Sequence, residues 1–223
     1  MYLPAHFAEN RTEVLHALMT EYPLATLILQ NDRLEANHIP LQLHAPAAHA
    51  PLGILRGHVA RANPMWKTAQ HETEALAIFQ GPQAYISPAW YPGKADHAKV
   101  VPTWNYVAVH ARGRLVVKDD AAWLREFLTG LTNTHEIEAG SAWSIDDAPA
   151  DYIDKMLAAI VGFEITITEL QGKWKVSQNK SVADRAGMVM GLTNYVEGYT
   201  KTKPRGNSQA VAVAELISKV HAN

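Results

Sequence analysis

The segment FEITITELQGKWKVSQNKS, residues 163–181, does most to decide the fold, and it also raises the first question about function. In its first half apolar and polar residues alternate, which is typical of a β-strand with one buried face. Its second half contains Lys173, Lys175 and Lys180 but no carboxylate. If the strand continues through Ser177, then Lys173, Lys175 and Ser177 share one side of it. The segment therefore predicts a strand that ends in a group of unbalanced donors, although an ordinary solvated strand face has the same pattern.

The chain before this segment is rich in strand patterns. Apolar segments bounded by turn residues predict six more strands, at residues 24–30, 34–43, 52–60, 74–80, 83–87 and 104–117. We expect the fourth to be separated from the fifth by the Gly81-Pro82 dipeptide. Most connections are too short for a helical crossover, so the pairing should be mainly antiparallel. The expected fold is α+β and mainly β, with a closed or partly closed barrel.

Helical patterns occur at both ends of the chain and between the last two strands. They predict helices at residues 10–22, 120–131, 150–162, 181–192 and 208–222. Asn10 with Glu13, and Ser181 with Asp184, have the spacing of N-terminal capping boxes. The basic stretch TKTKPRGNS, residues 200–208, is predicted to be a flexible linker. We expect one domain at residues 1–192 with inserted helices, and residues 193–223 as a linker and C-terminal helix packed on it.

Composition excludes several classes of protein. The 223 residues are 48% hydrophobic, which is enough for a full core, and the net charge of -2 provides no overall field for nucleic acid or an acidic membrane. The absence of cysteine excludes thiolate catalysis, disulfides and cysteine-based metal sites. Without a signal-peptide pattern or an apolar run of membrane-spanning length, we expect a soluble cytoplasmic protein.

Two further segments are candidates for a binding site. In GHVARANPMW, residues 57–66, His58, Arg61 and Asn63 surround the end of a strand, where a guanidinium and free amides can bind phosphate. The alternative is that Arg61 is a solvated loop residue and His58 packs on the barrel wall. The stretch at residues 87–106 combines Trp and Tyr with prolines, which suits a slot for a planar ligand but equally a packed core or a subunit contact.

Other chemistries have little support. The eleven histidines contain no HExxH or comparably specific ligand spacing, so we predict no metal site. The chain lacks three motifs: GxGxxG after a strand, GxxxxGK[ST] and GxSxG. The sequence therefore gives no support for a dinucleotide-binding fold, a P-loop or a hydrolase nucleophile elbow. No catalytic acid or base is identified, although His58 and His110 are candidates by residue type.

Five segments, taken in order, carry a family resemblance. They are GHVARANPMW, YISPAWYP, VPTWNYVAVHARG, MLAAIVGFEI and GKWKVSQNKS. With the N-terminal MYLPAHF, they make the chain similar, up to about Leu192, to the PaiB family of FMN-binding negative transcriptional regulators. The resemblance implies an antiparallel split β-barrel with peripheral helices, in which two barrels pair as a homodimer and FMN lies between the subunits.

The resemblance also implies roles for particular residues. Arg61 and Asn63, with His58 nearby, would hold the phosphate and ribityl end of FMN. The strand at residues 36–40, which includes His38, would run beside the isoalloxazine ring. A further set would close the cleft, from the partner chain: Trp104, Asn105, Tyr106, Lys173, Lys175, Ser177 and Gln178. Two negative charges on the FMN phosphate monoester would then face two or three cations.

The sequence alone leaves open whether the protein is a regulator or an enzyme. The sequence has no recognisable DNA-reading helix pair, so DNA as a partner rests on the resemblance. The alternative is an FMN-dependent oxidoreductase, either a flavin reductase or a relative of the pyridoxamine-phosphate oxidases, in which the cofactor carries the redox step. A third class is a binding module that uses the apolar stripe of the C-terminal helix, formed by Val213, Leu216, Ile217 and Val220.

Overall fold

The computed structural model describes residues 1–30, 34–69, 73–202 and 208–220, with all their side chains except those at 68, 96, 97 and 196–202. The chain forms two compact units, each built from separate stretches of sequence. The first unit consists of residues 1–14, 80–109 and 171–223, and the second of residues 15–79 and 110–170.

A mainly antiparallel sheet accounts for most of the regular structure. Its strands are β1 (Ala8–Glu9), β2 (Leu24–Gln30), β3 (Leu34–Pro40), β4 (Gln42–His44), β5 (Ile54–Ala60), β6 (Thr73–Ile86), β7 (Thr103–Lys118) and β8 (Ile160–Lys175). The order is β3-β2-β6-β7-β8-β5-β4, with β1 paired to β8. The registers place Thr26 opposite His38 and His58 opposite Gly162, both in antiparallel pairs. The prediction of antiparallel pairing is therefore confirmed.

The described part of the chain also forms α-helices. They are α1 (Thr12–Glu21), α2 (Met65–Thr68), α3 (Lys94–His97), α4 (Ala121–Glu138), α5 (Ala150–Ala158), α6 (Val182–Thr202) and α7 (Ser208–Ser218). Within the described ranges, three short 3₁₀ helices lie at Ala5–Phe7, Pro88–Trp90 and Ile145–Asp147. Among the described residues no helix is long and apolar enough to cross a membrane.

The predicted break at Gly81-Pro82 is wrong, because β6 runs through it without interruption. Proline has a φ close to that of an extended strand, so it ends a ladder only where its missing N–H was needed. The boundary between α5 and β8 also differs from the prediction. Val161 and Gly162, which were assigned to the helix, pair with Val59 and His58 of β5 instead.

Helix α6 ends at Thr202, ten positions after the predicted end at Leu192. Its start agrees with the prediction, since the Ser181 hydroxyl accepts a hydrogen bond of 3.1 Å from the Asp184 amide. Gly191, one residue before the predicted end, lies inside the helix at a point of close approach to Trp90. A Cβ built on it would lie 2.3 Å from Cγ of Trp90, so glycine is needed there for close packing. The predicted linker thus begins as helix, and its residues 203–207 lie outside the described ranges.

Each unit has its own apolar interior. In the second unit the largest fully buried side chains include Phe79, Phe163 and Leu27. In the first unit α7 packs against α6, and Val213 and Ile217 of the predicted apolar stripe are 0% and 1% exposed. This part of the stripe is therefore covered within the chain itself.

Candidate functional site

The predicted phosphate turn of the second unit follows β5, and Arg61 holds it in place. The Arg61 amide donates to the Ala159 carbonyl at 2.8 Å, and Nε donates to the Ala158 carbonyl at 2.7 Å. The two terminal nitrogens bind both carboxylate oxygens of Asp119, at 3.0 and 2.6 Å. One of them also donates to the Ile160 carbonyl. Arg61 thereby ties the turn to the start of β8.

The charge of this arginine is already balanced. The fork-to-carboxylate geometry is the strongest form of arginine ion pair, and the hydrogen bonds from Arg61 lower the pKa of Asp119. The Arg61 side chain is 38% exposed, so one flank still faces solvent. A phosphate at Arg61 would have to share the guanidinium with Asp119 or replace it. The role of Arg61 as a phosphate ligand stays a prediction.

Asn63 belongs to a pair of amides that contains an unsatisfied donor. Its Nδ2 donates to Oδ1 of Asn37 at 2.8 Å, and its Oδ1 accepts the Met65 amide at 2.9 Å. The Nδ2 of Asn37 is buried and has no hydrogen-bond partner within the described part of the chain. A buried donor without an acceptor costs free energy, so such atoms point to a missing polar group. The sequence did not identify Asn37 as a site residue. It lies, however, in the strand that the family resemblance places beside the isoalloxazine ring.

The two predicted histidines of this unit differ in environment. His38 is exposed on β3, with Nδ1 at 3.2 Å from the Thr26 hydroxyl. His58 is partly buried and edge-on to Phe127, with ring centroids 6.0 Å apart. Burial lowers the pKa of His58, because the charged imidazolium loses hydration there. Burial therefore favours the neutral imidazole of His58.

In the first unit, Lys173 is a buried cation surrounded by aromatic rings. Its Nζ donates to the Tyr2 carbonyl at 3.0 Å and lies 5.4 Å from the Tyr106 ring centroid and 5.8 Å from that of Tyr2. The residue is 8% exposed. Aromatic faces attract a cation but do not neutralise it.

Lys175 lies close to the same Tyr106 ring. Its Nζ donates to the Thr103 hydroxyl at 2.5 Å and to the Trp104 carbonyl at 2.6 Å, and is 6.0 Å from the Tyr106 centroid. Burial lowers the pKa of Lys175, and the positive charge of Lys173 lowers it further. Tyr2 contacts Lys173 and Thr103 contacts Lys175, and neither residue was predicted from the sequence to belong to the site.

The turn after β8 is tightly held. Asn105 and Ser177, both buried, exchange side-chain hydrogen bonds of 2.9 and 3.1 Å. Gln178 closes the turn by donating to the Trp174 carbonyl and accepting the Val176 amide. Ser177 has φ of +65°, so the strand geometry ends before it and the expected alignment of Ser177 with the two lysines is wrong. The left-handed turn lets its hydroxyl reach Asn105 instead.

The candidate cations of the two units differ in whether their charge is balanced by an ion pair. Arg61 is paired with Asp119, whereas neither Lys173 nor Lys175 forms an ion pair with any described residue. Lys180, the third lysine of the segment, is separate from this pair, with Nζ 5.5 Å from the Tyr91 ring centroid. The unbalanced positive charge of the predicted site therefore lies at Lys173 and Lys175.

The fold is shared with solved flavoproteins. The flavocytochrome Anf3 of Azotobacter vinelandii superposes with a TM-score of 0.53 at 16% identity, covering 75% of this chain and 69% of that one. The FAD and heme binding protein of Mycobacterium smegmatis gives 0.51 at 18% identity, covering 74% and 71%. With the open strand order, these similarities confirm the predicted fold class, an antiparallel split β-barrel with peripheral helices.

Relatives by sequence define the family. The family described as "Putative FMN-binding domain" matches residues 1–169. The protease synthase and sporulation protein PAI 2 of Bacillus subtilis is 32% identical over 87% of this chain and 90% of its own length. An uncharacterized protein of Emericella nidulans is 34% identical over 87% of this chain and 91% of its own. The chain therefore belongs to the PaiB family of FMN-binding domain proteins, as the sequence resemblance predicted.

Proposed function

We propose that this protein binds FMN and that Lys173 and Lys175 hold its phosphate. The observation that carries the proposal is the pair of partly or fully buried ammonium groups around Tyr106, neither of which forms an ion pair in the described part of the chain. A buried charge without a counter-ion is costly, and a phosphate monoester with close to two negative charges would offset that cost.

The amide pair of the second unit supports a polar ligand of the flavin type. The orphaned Nδ2 of Asn37 is a donor that requires an acceptor, and the pyrimidine edge of isoalloxazine consists of carbonyl and imide groups. FMN supplies redox chemistry when it is bound, while the residues of this chain bind and orient it. In a homodimer, Asn37 and Asn63 are thus candidates for contacts with the ring of an FMN whose phosphate binds the lysine pair of the partner subunit, and Arg61 for fixing the turn on which Asn63 lies.

We further propose that the protein is a homodimeric regulator located in the cytoplasm. The relative named for protease synthase and sporulation, together with the family resemblance, supports a regulatory role. The competing function is an FMN-dependent oxidoreductase. Steady consumption of NADH or NADPH that requires FMN would favour the oxidoreductase, whereas a flavoprotein inert toward both would favour the regulator.

Specific retardation of promoter DNA that weakens steeply with salt would support direct DNA binding.

The first test is a visible spectrum of the purified protein, followed by release and identification of the chromophore. We expect flavin absorbance, or saturable binding when FMN is added to colourless protein. Titration with riboflavin, which lacks the phosphate, isolates the contribution of the lysine pair. We expect riboflavin to bind at least tenfold more weakly, since charge-assisted hydrogen bonds are worth about 1.5–3 kcal/mol. A well-folded protein that binds neither compound would overturn the proposal.

A further inference from the structure

A groove of about 390 Å³ lies within the first unit, between α6 and α7. Its walls are mainly apolar, formed by Val182, Ala186, Val189, Met190, Ile217 and Val220, and Ser218 adds one polar residue to them. The α6 side is open to solvent, since Val182 and Met190 are 61% and 64% exposed. The volume falls within the roughly 300–1,000 Å³ range of small-molecule sites.

One charged side chain lines this apolar groove. Arg185 is 8% exposed, and its guanidinium donates to the Lys180 carbonyl at 2.8 Å and to the Val220 carbonyl at 3.5 Å. It forms no ion pair with a described residue. A guanidinium has five N–H donors, so two carbonyls leave its hydrogen-bonding capacity and its charge incompletely matched.

The position of Arg185 in α6 increases the free-energy cost of its uncompensated charge. The residue lies near the N-terminus of α6, the positive end of the helix dipole, where a cation is disfavoured. Burial adds a desolvation cost that carbonyl dipoles only partly offset. A bound anion would remove both penalties.

We propose that this groove binds a small amphiphilic carboxylate, with its carboxylate on Arg185 and its hydrocarbon portion along the apolar walls. Charge complementarity fixes the head group, because a carboxylate matches the planar fork of a guanidinium. The apolar lining fixes the remainder, because Val189, Ile217 and Met190 offer no hydrogen bond to a polar chain. The Val220 carbonyl contact places this binding event where the end of α7 meets α6, so the ligand stabilises that junction.

The test uses the full chain and octanoate as the probe, with octanamide as a neutral compound of the same length. Isothermal titration should give one octanoate per chain and an affinity for octanamide at least tenfold lower. Octanoate should also raise the melting temperature of the protein more than octanamide does.

Two alanines of α6 provide a matched pair of variants. Ala186→Glu places a carboxylate in the groove and should weaken octanoate binding at least tenfold. Ala183→Glu adds the same charge to an exposed position of the same helix outside the groove lining, and should leave binding unchanged. Because both positions are exposed, the two variants should fold equally well. Arg185→Gln should abolish the preference for octanoate over octanamide.

Three results would overturn the inference. Absence of octanoate binding would mean that Arg185 serves only to join two carbonyls. Equal binding of octanoate and octanamide would indicate unspecific apolar adsorption. Equal loss in the Ala186→Glu and Ala183→Glu variants would place the ligand elsewhere on the protein.

Discussion

At the scale of single residues, Lys175 decides how well the proposed phosphate contact works. Its ammonium loses hydration and is close to Lys173, and both effects lower its pKa. A bound phosphate reverses them by placing negative charge beside the ammonium, so part of the binding free energy comes from relieving an unfavourable arrangement in the free protein.

Lys175→Gln should weaken FMN binding by about 10- to 100-fold, because a charge-assisted hydrogen bond of about 1.5–3 kcal/mol is lost. Fluorescence titration with FMN measures the effect, and riboflavin affinity should change far less. Lys219→Gln removes an exposed lysine that directly follows α7 in the same unit and serves as the control for net charge. An equal loss with both variants would argue against a local phosphate contact.

Asp119→Asn distinguishes the two roles open to Arg61. If Arg61 mainly fixes the turn after β5, the variant should lower the melting temperature and leave FMN affinity unchanged. If Arg61 binds the phosphate, release of its guanidinium from Asp119 should strengthen FMN binding. We expect the first result, because the Nε and one terminal nitrogen of Arg61 also bind backbone carbonyls.

Glu164 gives a prediction about pH. It binds Arg56 at 2.8 Å and Lys118 at 3.0 Å. Burial alone would raise the pKa of Glu164, but these two cations outweigh it and lower the pKa below the ordinary 4.5. A lowered pKa in the folded state adds stability above the ordinary value, and this stability is lost as the pH falls through the folded value.

Glu164→Gln should therefore lower the free energy of unfolding by about 1–2 kcal/mol at pH 7. The difference from the unsubstituted protein should shrink as the pH falls below 4.5. Urea unfolding at a series of pH values measures it. A difference that stays constant with pH would mean that the ionised carboxylate does not cause it.

At the scale of elements, α6 shows how a glycine can serve packing in a helix. Gly187 and Gly191 are one turn apart and both face Trp90, where a Cβ on either would lie within 2.3 Å of a Trp90 atom. The helix therefore approaches the 3₁₀ turn at Pro88–Trp90 closely enough to exclude any side chain at these positions.

Gly191→Ala should destabilise the protein by about 1–3 kcal/mol, because the added methyl group meets the indole ring and outweighs the gain in helix propensity. Gly130→Ala is the matched control in α4, since a Cβ there meets nothing within 4 Å. That variant should stabilise by about 0.5–1 kcal/mol. Chemical unfolding of both variants measures the difference, and stabilisation by Gly191→Ala would contradict the packing argument.

At the scale of the whole molecule, exposed aromatic residues favour a partner subunit. Tyr85 and Trp104 are 47% and 53% exposed and form an edge-to-face pair with centroids 6.2 Å apart. Large aromatic residues are enriched in subunit interfaces, where their burial contributes much of the binding free energy. This pair agrees with the proposed homodimer.

Trp104→Ser should raise the dimer dissociation constant at least tenfold, as removal of a central aromatic typically costs about 2 kcal/mol or more. Trp143→Ser is the control, because Trp143 is similarly exposed, at 45%, in a loop of the second unit. Analytical ultracentrifugation with and without FMN measures the effect. A monomeric parent protein would contradict the dimer, and full FMN affinity in a monomeric variant would show that a single chain is sufficient.

The sequence by itself determined the antiparallel sheet, most helix starts and the family, because each of these depends on local patterns or on ordered segments of residues. It placed Lys173 and Lys175 on one strand face, since a strand has a period of two. Residues 172–181 contain no carboxylate, so the sequence offers neither lysine a counter-ion within this stretch.

Tertiary structure decided which of the predicted cations are balanced and which local signals are overridden. Asp119 neutralises Arg61 across 58 positions of sequence, and Asn37 meets Asn63 across 26. Pairing with β5 turned the predicted end of α5 into strand, and α6 continues past its predicted end at Leu192 to Thr202. The physical reason is that ion pairs, packing and burial depend on distances in space, which local sequence patterns do not contain.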